Sequence, residues 1–145
     1  MSNHEDYRRI FTDGSKDGTK VAAAAVCEDN VMSSHLPDNS TIFSGAMHAI
    51  NLALMFIRDC TDSKFIIFAD SLSSLVAIEN RHWDNPLTLE VLNRIHNLLS
   101  TGKIIMFVWL PSHVGIQGNT DADVAAKTAI NAAPDNITVP HTDFW

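Results

Sequence analysis

The sequence predicts an α/β domain: a mixed sheet of five strands, three antiparallel and then two parallel, with helices on both faces. Three observations carry this. Strand-length and helix-length apolar segments follow in the order three strands, helix, strand, two helices, strand, helix. Two apolar strands, Ile10-Phe11-Thr12 and Phe65-Ile66-Ile67-Phe68-Ala69, each stop on an aspartate, Asp13 and Asp70. The stretch from Thr41 to Cys60 is a helix apolar on most sides, which marks a central helix covered by its neighbours.

The elements follow in order. Arg8 to Asp13 is the first strand, and Gly14 to Gly18 a tight polar turn. Asp-Gly is a common turn pair, so Asp13 is expected at the strand end. Val21–Val26 and Val31–Leu36 complete a meander. The alanines 22 to 25 are weak strand formers, but a helix has no room between those turns. Pro37-Asp38-Asn39-Ser40 breaks the pattern and supplies caps for the central helix. Its stripe is Ile42, Ala46, Ala49, Ile50, Ala53 and Ile57.

Lys64 to Ala69 is a continuous apolar run, as expected of a parallel strand covered on both faces. A helix from Ser71 to Asn80 follows, with Leu72, Leu75, Val76 and Ile78 apolar. Pro86 suits the first turn of the next helix, Leu87 to Ser100, whose face is Leu89, Leu92, Ile95, His96 and Leu99. Ile104–Trp109 is the last strand, Pro111–Gly118 a loop, and Asn119–Ala132 the closing helix. Residues 1–133 are expected to form one domain, and 134–145 a loosely packed tail or linker.

Composition excludes several classes. At 46% hydrophobic and 19% charged, the chain is an ordinary globular one. No apolar run approaches the roughly 18 residues of a membrane span. The polar start, Met-Ser-Asn-His-Glu-Asp-Tyr, is no signal core. Cys27 and Cys60 show no metal spacing and read as free buried thiols. An intracellular, non-secreted, monomeric domain is therefore expected. No His-x-x-x-His pair suggests structural zinc. A net charge of −7 argues against a broad basic grip on nucleic acid. It leaves room for a local site where metal ions carry the positive charge.

The aspartates carry the chemistry. Neighbouring strands lie about 4.8 Å apart. If the strands ending on Asp13 and Asp70 are parallel neighbours, their carboxylates can share a cation. Asp123 opens the last helical pattern. Clustered carboxylates repel and raise their own pKa values, and a divalent ion relieves that. Oxygen ligands select magnesium or manganese. Two such ions about 3.5–4 Å apart form the clamp of in-line phosphoryl transfer. His113 lies on the glycine-bearing loop Pro111–Gly118, just ahead of this helix. A lone loop histidine is often a plain surface residue, but the surrounding spacing favours proton transfer.

These segments resemble a type 1 ribonuclease H domain. They are most similar to those in reverse-transcriptase polyproteins of non-long-terminal-repeat retrotransposons. The match rests on Ile10–Ser15, Thr41–Ile50, Phe68-Ala69-Asp70-Ser71 and Trp109–Lys127, above all His113-x-Gly115-x-x-Gly118-Asn119-x-x-x-Asp123. The resemblance implies a ribonuclease H-like fold that cleaves the RNA strand of RNA/DNA hybrids with two magnesium ions, manganese substituting. It implies that Asp13 bridges both metals and that Asp70 and Asp123 each hold one. His113 would aid proton transfer or product release, and Gly14, Ser15, Thr41 and Ser71 would lie near the hybrid backbone. Asp121 competes for the Asp123 role, but the spacing from Asn119 favours Asp123. A reverse transcriptase domain is an expected neighbour in a longer parent chain.

One departure stands out. The family carries a catalytic Glu on the central helix, and Ala46 occupies that position here. There is no Glu between Thr41 and Cys60. Asp59 is roughly 20 Å further along at about 1.5 Å per residue. Three carboxylates should hold one metal and keep the second poorly. The expectation is a weakened or silent ribonuclease H. The alternatives are a hybrid-binding module that has left catalysis behind, or a protein-interaction domain with relic carboxylates.

Overall fold

A computed structural model describes residues 6–111 and 117–131. The elements are β1 (Arg8–Asp17), β2 (Lys20–Cys27), β3 (Asn30–His35), α1 (Ile42–Asp59), β4 (Lys64–Ala69), α2 (Leu72–Glu79), α3 (Pro86–Ser100), β5 (Ile104–Trp109) and α4 (Gln117–Asn131). The sheet order is β3-β2-β1-β4-β5, with β1–β2 and β2–β3 antiparallel and β1–β4 and β4–β5 parallel. This is the predicted mixed sheet, in a ribonuclease H-like α/β fold. Among the described residues no helix is long and apolar enough to cross a membrane.

The two-residue period of the strands separates the faces. Ile10, Phe65, Ile67 and Ala69 form one core with Met47 and Ile50 of α1, Ala77 of α2, and Leu87 and Val91 of α3. On the opposite face Phe11 stacks on Phe68 with centroids 4.6 Å apart. There Ala22 packs with Ala129 and Ile130 of α4. So α1, α2 and α3 cover one face and α4 the other. The alanine run of β2 now has a reason. It lies under α1 on one side, where Ala23 meets Ala49, and under α4 on the other. Small side chains let both helices come close.

Three expectations are corrected. β1 does not end at Asp13. It runs on to Asp17, pairing Gly14 with Ala23 and Ser15 with Ala22, and the hairpin turns at Gly18, whose φ is +62°. Gly14 is a contact glycine rather than a turn glycine: a Cβ there would meet the Ala46 nitrogen at 2.6 Å and the Gly45 carbonyl carbon at 2.7 Å. On α3 the buried residues are Leu87, Thr88, Val91 and Leu98, while Leu89 and Leu99 are exposed. The helix packs against α1 as well as the sheet, which rotates its buried stripe. On α2 likewise Ser74 and Ala77 are buried, and Leu72 and Val76 are exposed. Thr41, Ser71 and Asn85 cap α1, α2 and α3, and the Asn85 Oδ1 accepts from both the Leu87 and Thr88 amides.

Candidate active site

The parallel ladder between β1 and β4 ends at the pair Thr12–Ala69. The next residue on each strand is an aspartate, so Asp13 and Asp70 stand side by side at the sheet rim although β1 itself continues. Thr12 closes the ladder beneath them, donating from Oγ1 to the Phe68 carbonyl at 2.8 Å. On the far side of Asp70 the register places Trp109 opposite Ala69, and the indole Nε1 donates to the Asp70 carbonyl at 3.3 Å. The Trp109 side chain is otherwise half open to solvent.

Asp13 is only 6% exposed. Its carboxyl lies beside those of Asp70 and Asp123, close enough for both to shift its titration. Its pKa is pushed up to about 9, first by burial and next by the neighbouring charge of Asp70. Asp123 reaches this point from α4, and its Oδ2 accepts from Lys127 Nζ at 2.9 Å, one helical turn on. That bond raises the Lys127 pKa. Asp121 is turned elsewhere: it is exposed, and its Oδ1 accepts from Gln117 Nε2 at 2.7 Å. The geometry thus brings Asp123, not Asp121, to Asp13.

Ala46 lines the same cleft of about 290 Å³ as Asp13, Gly14, Asp70 and Ser71. It is 8% exposed, and the close Gly14 contact holds α1 against β1 at this level. No acidic residue lies in the first turn of α1. The N-terminal ends of α1 and α2 flank the cleft. Thr41 Oγ1 accepts from the Ser44 amide at 3.0 Å, and Ser71 Oγ from the Ser74 amide at 3.3 Å. Helix N-termini carry partial positive charge and suit phosphate oxygens. Ser15 follows Gly14 on β1 and is half-buried. His113 lies outside the described residues.

The sequence reading missed Thr12, Trp109 and Lys127. A strand register was needed to find the first two. Lys127 was findable, because it stands four residues after Asp123 on one helix.

The donor chemistry fits a hard divalent ion, since Asp13, Asp70 and Asp123 offer only carboxylate oxygens and burial beside like charge penalises the charged form of Asp13. Among the described residues, however, no three such groups form a ready ligand set. Asp13 lies beside both other aspartates, and Asp123 is engaged by Lys127.

A mixed five-stranded sheet, with aspartates on β1, just past β4 and on an opposing helix at one rim, defines the class: an α/β fold with a carboxylate cluster at the sheet edge. The family model for RNase H matches residues 5–131, and the chain belongs to that family. No curated protein matches the sequence. The family's function is of the ribonuclease H type, an endoribonuclease activity on RNA/DNA hybrids that generally uses divalent metals.

Proposed function

We propose that this domain binds RNA/DNA hybrids at the rim cleft and hydrolyses the RNA strand by the two-metal route, weakly, because Ala46 stands where the family's Glu would. The observation that carries this reading is the convergence of Asp13, Asp70 and Asp123 on one point, with Ala46 facing the same cleft. Asp13, Asp70 and Asp123 would hold the ions. Magnesium or manganese bound there supplies Lewis-acid stabilisation of the phosphoryl oxygens.

The protein's own part is positioning. The capped N-termini of α1 and α2 orient backbone phosphates, with Thr41, Ser71, Gly14 and Ser15 beside them. Trp109 and Thr12 fix the strand ends, so the two aspartates are held in register. Lys127 keeps Asp123 turned toward Asp13. His113 is assigned a part in proton transfer or product release.

Ala46 also supports a second reading: a module that binds hybrids without turnover. A pure protein-interaction role fits less well. A relic has no reason to keep Asp13 buried among carboxylates, an arrangement that costs free energy in the absence of a cation. The context favoured by the sequence is a domain at residues 1–133 of a retrotransposon-type polyprotein, beside a reverse transcriptase, inside the cell, and monomeric when isolated.

The test is cleavage of a labelled RNA/DNA hybrid in magnesium and in manganese by the chain and by Ala46→Glu. The expected result is a gain of about a hundredfold or more for Ala46→Glu, since each 1.36 kcal/mol of barrier is roughly tenfold. The cleft has open space beside Ala46 for the longer side chain. Hybrid binding by gel shift with no cleavage by either protein would select the second reading. Efficient cleavage by the unaltered chain would sink the claim that Ala46 weakens the site.

A further inference from the structure

We propose that the cleft between the C-terminal halves of α1 and α3 binds a small phosphate monoester, its phosphate on the Arg58 and Arg94 guanidiniums and its organic body against Leu54 and Leu98. The cleft has a volume of about 440 Å³, within the range of small-molecule sites. It is too large for a bare ion alone. Arg58, Arg94 and Lys103 line it, three of the ten Lys and Arg residues in a chain of net charge −7. Among the described residues no carboxylate lines it. The two leucines are buried and give it an apolar floor.

An ordinary explanation covers two of the three cations. Both α1 and α3 end here, and basic groups offset the negative end of a helix dipole. Arg58 stands in the last turn of α1 and also meets Asp59 at 3.2 Å. Lys103 Nζ donates to the Cys60 carbonyl at 2.6 Å and the Asp62 carbonyl at 2.5 Å, so it ties the chain together.

Arg94 is not explained this way. It sits near the middle of α3, its side chain is only 28% exposed, and its buried Nε makes no hydrogen bond among the described residues. Its approaches to Glu90 Oε2 are long, 3.5 Å, and that oxygen already accepts from Asn51 Nδ2 at 2.8 Å. Glu90 thus meets Arg94 only at long range, and the part-buried Nε is left with a donor that a second anion can take up. Guanidinium forks suit phosphate oxygens, and a monoester dianion has enough acceptors for two of them.

The site is separate from the carboxylates. Lys103 precedes the start of β5, where Ile104 pairs with Lys64, while Asp70 follows the other end of β4. Six strand residues span roughly 20 Å. At that distance from the rim, and with a volume of small-molecule size, the cleft suits a free small molecule.

The experiment is titration of the full chain with adenosine 5′-monophosphate, ribose 5-phosphate, adenosine and inorganic phosphate, followed by the backbone amide resonances of residues 94 to 103. Both esters should bind with a Kd of about 1 mM or tighter, adenosine should not bind, and inorganic phosphate should bind more weakly than the esters. Arg94→Gln should weaken the esters at least about tenfold, as should Arg58→Gln, through loss of a charge-assisted bond. Arg58 is 57% exposed, so its replacement leaves the fold intact, as a melting curve would check. Asp70→Asn should change nothing in this titration. No amide shift at ~10 mM ester, ten times the expected Kd, overturns the proposal, as do ester-induced shifts in both arginine variants equal to those of the unaltered chain. Inorganic phosphate binding as tightly as the esters overturns the role given to the leucines.

Discussion

Ala46 and Ile50 are one helical turn apart on α1, yet they belong to opposite kinds of surroundings. Ile50 is fully buried among Ile10, Phe65, Ile67 and other apolar side chains, with no charge among them. Ala46 faces a cleft where Asp13 is buried beside two further aspartates and its pKa rises to about 9. Around Ile50 the apolar pattern of helix and strands agrees with the fold. At the rim the chain keeps a buried carboxyl against its own stability. Departures from consistency of this kind concentrate at functional sites. The core supplies the free energy that holds the rim in an arrangement it would not adopt alone.

The largest expected effect lies in the core. Ile50→Ala should cost about 3–5 kcal/mol in urea unfolding, because a fully buried side chain leaves a cavity. A loss below about 1 kcal/mol would mean that the core closes over the gap, and the contrast with the rim would fail. Gly14→Ala comes next. Its Cβ would meet α1 backbone atoms, which cannot rotate away, so a loss of about 3 kcal/mol is expected together with displacement of Ala46. The same substitution at Gly18 meets no atom within 4 Å and carries only the strain of φ +62°.

The rim should show itself in pH dependence. The pKa of Asp13 is pushed up to about 9 in the fold, against an ordinary carboxyl value of 3.8. Between those values the folded chain binds more protons than the unfolded one, so stability falls as pH rises through this window. Below 3.8 both states carry the proton, and above about 9 both have lost it and the loss is complete. Melting temperatures from pH 4 to 9 in chelator should fall in this way. Asp13→Asn should flatten the curve, and added manganese should recover stability at the alkaline end. A flat curve for the unaltered chain would remove the physical basis of the contrast.

The smallest effect is at the cap. Thr41→Ala removes the bond to the Ser44 amide and should cost about 1 kcal/mol. Hybrid binding, measured alongside, should weaken if this helix end faces the phosphates.

Much of this was legible in one dimension. Alternating apolar runs predicted the strand and helix order, and two strands stopping on aspartate predicted Asp13 and Asp70 together. What hid was whatever depends on a partner. Asp13-Gly14 looks the same in sequence whether the glycine turns the chain or admits a helix, and only α1 decides between them. The α3 stripe was misplaced because that helix answers to α1 as well as to the sheet. Thr12 and Trp109 join the site through strand register, which no spacing within one segment encodes.

Trp109 has a practical consequence. Its indole is hydrogen-bonded to the Asp70 carbonyl while its ring is 48% exposed, so its emission depends on both the aspartate and the water beside it. The chain has two other tryptophans, Trp83 and Trp145. With those replaced by phenylalanine, the protein carries a single tryptophan, at its own rim. Ion arrival, hybrid docking and the Ala46→Glu exchange then become optical signals that need no label and no turnover.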